Sequence, residues 1–85
     1  MDGLEIRRKR AIYRAQHRGT KELDLILGRY AVEFVQGMDE ARLTSFEQLL
    51  SLLDADIDQW IRGGQAPDEV AQMVADVRAF YGLRN

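Results

Sequence analysis

Asp54, Asp56 and Asp58 alternate along the chain as the first three oxygen ligands of a calcium loop do. Such a loop also needs a glycine at its sixth position for the turn and a bidentate glutamate at its twelfth, and those positions hold Gln59 and Gln65. The aspartates therefore read as helix-capping residues, and no metal site is expected. His17 is the sole histidine, and an acid–base or nucleophilic site needs a second positioned group beside it. No recognisable triad or paired-carboxylate pattern surrounds it, so it reads as a helix-terminal histidine facing the negative end of the dipole. Cysteine is absent, which removes a thiol nucleophile, a disulfide framework and a Cys/His zinc site together. The chain is not expected to be an enzyme.

The junction His17-Arg18-Gly19-Thr20-Lys21-Glu22-Leu23-Asp24 offers a different kind of chemistry. Gly19 permits a tight corner, exposes backbone to a closely approaching partner, and leaves Arg18 and Glu22 as opposite charges beside that bare surface. Alternatively Gly19 is a helix N-cap, which puts Glu22 at the third helical position, where it satisfies an end amide as half of a capping box. Residue chemistry alone leaves both readings open.

Arg7, Arg10, Arg14 and Arg18 fall within a narrow arc of a helical wheel and form a stripe of guanidinium groups. They belong to a divided charge distribution. Residues 1–21 carry seven basic side chains against two acids, a charge of +5; residues 22–85 carry five against twelve, a charge of −7. The net −2 conceals a basic head on an acidic body, an asymmetry that points to a partner. Nucleic acid is not the expected one: the acidic body would repel a duplex, and no aromatic side chains interleave with the arginines as a single-strand platform requires.

Positioning these residues falls to helices. At 85 residues the chain has room for one domain, residues 1–85, with a single core from about residue 4 to residue 82. Hydrophobic residues make up 46% of it and one proline occurs, so it is neither disordered nor turn-rich by composition. Period and punctuation give five helices and no period-two alternation, hence an all-α, small five-helix bundle. The first runs from about Leu4 to His17 and is thinly apolar. In the second, Leu23, Ile26, Leu27, Tyr30, Ala31 and Phe34 repeat at helical spacing until Gly37. Gly28 inside it costs about 1 kcal/mol relative to alanine, tolerable where a neighbouring helix comes close. Asp39 caps the third, which buries Phe46, Leu49, Leu50 and Leu53. Asp54 or Asp56 caps a short fourth helix with Ile57, Trp60 and Ile61 inward, stopped by Gly63-Gly64. Pro67 suits the first turn of the fifth, which carries Val70, Met73, Val74, Val77, Phe80 and Tyr81 as one stripe to Gly82.

The motif Arg18-Gly19-x-x-Glu22, followed by Leu23-Asp24 and an apolar helix, resembles the signature of the succinate dehydrogenase flavinylation factors, the bacterial SdhE proteins and their mitochondrial counterparts. The resemblance runs over residues 7–81, from Arg7-Arg8-Lys9-Arg10 through Phe46-Glu47 and Leu49 to Asp54-x-Asp56-Ile57-x-x-Trp60. It implies a helical bundle that is not itself a catalyst. It implies an assembly chaperone that binds the flavoprotein subunit of succinate dehydrogenase, and in bacteria that of fumarate reductase, and promotes covalent attachment of FAD. The family's motif falls on Arg18, Gly19 and Glu22 as partner-binding residues, with Asp24 beside them and Arg7, Arg10 and Arg14 extending the footprint. No phosphate-cradling glycine loop is present, so no autonomous flavin binding is expected.

The alternative is a generic helical protein- or nucleic-acid-binding regulatory module. No apolar run approaches the roughly 18 residues of a membrane span. The N-terminus lacks the apolar core of a secretory signal, and Asp2 and Glu5 argue against a transit peptide. The expected setting is the bacterial cytoplasm, or the mitochondrial matrix for a processed chain.

Overall fold

The computed structural model of the protein describes residues 3–84; Asp2, counted in the charge of the basic head, lies outside them. Five α-helices follow one another: α1 (Gly3–Gln16), α2 (Lys21–Phe34), α3 (Glu40–Leu50), α4 (Asp54–Ile61) and α5 (Asp68–Arg84), with a single 3-10 turn at Val35–Gly37. No strand occurs among the described residues, so the chain is the all-α five-helix structure that its periodicities predict.

Only Ala11 and Ala15 of α1 are buried, and two such small side chains let the helix lie close to its neighbours. It crosses α2 at Gly28, where a Cβ would sit 3.1 Å from Cγ and 3.4 Å from Cα of Gln16. The conformational cost of that glycine is thus offset by a helix contact that alanine would push apart. The inward stripe of α2 is Leu23, Ile26, Leu27, Tyr30 and Ala31. Phe34 departs from expectation at 42% exposed: α2 ends there, and the tighter 3-10 turn swings Val35 into the core instead. Tyr30 lies at the centre of an aromatic group, its ring 4.9 Å from Phe34, 5.6 Å from Phe46 and 5.7 Å from Phe80.

Asp39 caps α3 as expected, accepting from the Arg42 N–H at 2.9 Å. The buried face of α3 is Leu43, Phe46, Leu49 and Leu50, without Leu53. The helix stops at Leu50, so its period no longer governs Leu53, which is 71% exposed. Leu53 also occupies the N-cap position of α4 and supplies no side-chain bond there. Asp54 and Asp56 are therefore first-turn residues rather than caps, and Asp54 is free to reach across the molecule. Ile57 and Ile61 of α4 are buried, and Trp60 is half-buried against the same core. Pro67 immediately precedes α5, whose Val70, Met73, Val74 and Val77 are buried; the helix runs past Gly82 to Arg84.

Polar straps tie the helices together at long range. Arg7 of α1 donates to Glu47 at 2.7 Å, Glu40 at 3.2 Å and Thr44 at 3.0 Å, all on α3. Arg42 of α3 reaches Asp76 of α5 at 2.8 Å. Among the described residues no helix is long and apolar enough to cross a membrane.

Candidate functional site

The α1–α2 corner is built from the inside. The cap of α2 is Thr20, whose hydroxyl accepts from the Leu23 N–H at 3.2 Å, so Gly19 is not the N-cap. Glu22 is accordingly the second helical residue, one position short of a capping box, and its carboxylate faces elsewhere. The glycine has another purpose. Its N–H donates to Asp54 Oδ2 at 2.7 Å, and a Cβ on it would fall 2.6 Å from that same oxygen. Gly19 is bare because a carboxylate from α4 sits against it.

Arg18 completes the clamp. Its Nε and Nη2 both lie 2.8 Å from Asp54 Oδ1, Nη1 donates to the Leu50 carbonyl at 2.6 Å, and Nη2 donates to the Leu52 carbonyl at 3.0 Å. These are the orphan carbonyls at the end of α3 and the turn after it, groups that helix geometry leaves without intrahelical donors. The Arg18 side chain is only 11% exposed. Its backbone N–H donates to the Asp24 carboxylate, which closes the corner from the α2 side. One guanidinium and one glycine N–H thereby fasten the end of α3 and the start of α4 to the α1–α2 corner.

Burial works to raise the Asp54 pKa, but the Gly19 N–H bond, together with the hydrogen bond and charge of Arg18, outweighs it and holds the carboxyl below its ordinary value. A carboxyl depressed on folding stabilises the fold above its unfolded pKa of about 3.9, and that contribution is lost as pH falls through the folded value. Urea unfolding of the wild type and of Asp54→Asn across the acid range should therefore show two curves that converge as pH drops below about 4. A gap that stays constant with pH would exclude the Asp54 charge as its source.

Outside the clamp opens a groove of 600 Å³ lined by Gly19, Thr20, Glu22, Leu23, Asp54, Ala55, Asp58 and Arg62. Glu22 stands in it half exposed, 2.5 Å from an Nη of Arg62, whose Nε lies 2.8 Å from Asp58. The motif residues thus divide into two roles. Arg18, Gly19 and Asp24 are engaged in the corner itself, and Glu22 stands half exposed at the groove, paired with the exposed Arg62.

The arginine stripe divides likewise. Arg7 and Arg18 share an arc with Arg10 and Arg14 but spend their guanidinium groups on α3 and α4. No ion pair or side-chain hydrogen bond of Arg10 or Arg14 occurs among the described residues; Arg10 is exposed and Arg14 half-buried. The exposed Tyr13 ring stacks on His17 at 4.0 Å on that outer side of α1. Arg62 was not legible as part of the site, because no local rule connects it to Glu22, 40 residues away. The Asp54-x-Asp56 spacing did signal Asp54, though as a cap and not as a counterion.

Three carboxylates, Glu22, Asp54 and Asp58, line the groove beside the Arg62 guanidinium, and the Gly19 N–H and Arg18 guanidinium are already bonded to Asp54.

Comparison with known proteins finds likeness along this same stretch. An SdhE FAD assembly factor of Acetobacter pasteurianus is 35% identical over 87 residues, covering 95% of this chain and 80% of that protein. Mitochondrial succinate dehydrogenase assembly factors 2 are similar over a shorter stretch: 39% identical over 59 residues in Kluyveromyces lactis and 38% over 60 residues in Arabidopsis thaliana. These matches cover 69% and 71% of this chain but only 36% and 32% of the relatives, so the chain spans about a third of the mitochondrial proteins' length. A family model described as flavinator of succinate dehydrogenase matches residues 9–81, from Lys9 within α1 through the clamped corner and the groove to Tyr81 of α5. With the family model matching residues 9–81 and the SdhE relative covering 95% of the chain, the chain belongs to the family of succinate dehydrogenase flavinators.

Proposed function

We propose that this protein is a non-catalytic assembly factor that binds the flavoprotein subunit of succinate dehydrogenase and promotes covalent attachment of FAD to it. The observation that carries this reading is the division of the motif: a rigid internal clamp of Arg18, Gly19, Asp24 and Asp54 holds Glu22 outward at the rim of an open groove. A partner meets a preorganised carboxylate beside exposed backbone, and little ordering entropy is lost on binding. Arg10 and Arg14 extend the contact along α1. The flavin and the side chain that receives it both belong to the partner, and this chain contributes orientation of the partner's reacting groups. Three carboxylates at the groove disfavour a pyrophosphate, which supports a protein that does not hold FAD alone. The fumarate reductase flavoprotein is a second client in the same reading, and the setting is the bacterial cytoplasm or the mitochondrial matrix.

Mixing the flavoprotein subunit with FAD, with and without this protein, and measuring the flavin fluorescence that survives denaturation tests the proposal. The protein should raise it. Glu22→Ala should weaken binding by at least about tenfold, as loss of one partner from a desolvated charged contact does, and should leave the melting temperature unchanged. Equal flavin retention with and without the protein would rule the function out.

A further inference from the structure

Glu22 does not face solvent alone. Arg62, at the C-cap of α4, lies across the groove and bridges Glu22 at 2.5 Å and Asp58 at 2.8 Å. All three side chains are substantially solvent-exposed, at 50% for Glu22, 35% for Asp58 and 62% for Arg62. Exposed pairs of this kind are weakly held because water screens them. The two contacts of Arg62 are not equivalent. Asp58 is four residues before it on the same helix, a spacing that favours pairing whatever lies opposite, whereas Glu22 is on α2 and is reached only across the groove. Arg62 can let go of Glu22 and remain paired with Asp58.

We propose that Arg62 is a built-in competitor for the carboxylate of Glu22, and that the group on the flavoprotein that meets Glu22 is itself a cation, a guanidinium or an ammonium. The inference rests on the proposed role of Glu22 in partner binding. The chain already demonstrates the chemistry, since the ligand that Glu22 accepts within its own fold is a guanidinium. A partner's arginine or lysine would take the same oxygen in an interface from which water is excluded, where the charge-assisted bond is stronger than in the open groove. Arg62 would retreat to Asp58 as it arrived. The cost of displacing Arg62 lowers the affinity of the free protein for every partner that takes Glu22, and a cation at that carboxylate is the contact that recovers it.

Titration of the full-length flavoprotein subunit with wild type, Arg62→Gln, Glu22→Gln and the double variant tests this. Arg62→Gln should bind about two- to fivefold tighter than wild type, the range that an exposed ion pair carries. Arg62→Lys, which keeps the charge without the bridging fork, should fall between them. In the Glu22→Gln background the Arg62 substitution should change nothing. Unchanged or weaker binding by Arg62→Gln, or a gain that persists without Glu22, would overturn the proposal; the latter result would reduce Arg62 to a general charge effect. Wild type and Glu22→Gln binding equally well would instead remove the role of Glu22 itself and the proposal with it. Melting curves of all five proteins should superimpose within a few degrees, which separates these outcomes from loss of fold.

Discussion

Replacing Arg18 with alanine is expected to lower the unfolding free energy by about 2–4 kcal/mol, the range found when one member of a largely buried hydrogen-bonded ion pair is removed. For a domain of this size that is a fall in Tm of roughly 10–25 °C. The reason is what the substitution would strand. Asp54 would keep only the Gly19 N–H, and the carbonyls of Leu50 and Leu52 would lose their donors where α3 gives way to α4. Arg18→Lys should recover only part of the loss, because an ammonium on a flexible stem cannot reproduce a planar fork that serves three acceptors. Chemical denaturation of the variants measures both. A variant within about 0.5 kcal/mol of wild type, the ordinary scatter of surface substitutions, would show that the guanidinium does not hold the corner. The contrast with Glu22→Ala is diagnostic: one motif residue is expected to fail in the fold and the other in the complex.

Gly19→Ala is the second large effect, at about 1–3 kcal/mol, the usual cost of forcing extra volume into a filled position. The added methyl would land 2.6 Å from Asp54 Oδ2, and that carboxylate cannot swing aside freely while Arg18 holds it. Among the described residues only Gly63 has a positive φ, so the substitution at Gly19 probes space and not backbone torsion. Space can be restored from the other side. In an Asp54→Ala background the Gly19→Ala change should cost much less than it does alone, a coupling that a double-mutant cycle reads directly. Additive losses would mean that the methyl group is resisted by something other than Asp54.

The helices were largely legible because each is written in a local period. The stripe from Leu23 to Ala31 and the Asp39 cap depend on neighbours within one or two turns, and both are found where the spacing puts them. Errors arise where an element stops. Leu53 continues the α3 period on paper, but the helix has ended at Leu50. The same limit governs the corner. Thr20 and Gly19 are adjacent and either could cap α2; the choice is made by Asp54, which claims the glycine N–H from 35 residues away. A wheel likewise gathers Arg7, Arg10, Arg14 and Arg18 into one stripe, yet it cannot show that α3 and α4 bring acids to the first and last of them. Resemblance singled out the motif; its division into clamp and contact came from the partners that tertiary structure supplies.

The clamp spans residues 18 and 54, so the corner is not a local motif that a short peptide could reproduce. Contacts between distant parts of a chain form late, after the loop-closing entropy has been met. A nascent or damaged chain in which α4 has not docked would still carry Arg18, Gly19 and Glu22 in order, but not the rigid corner that presents them. Under the proposed function, a flavoprotein that reads this corner would engage only a helper that has itself finished folding.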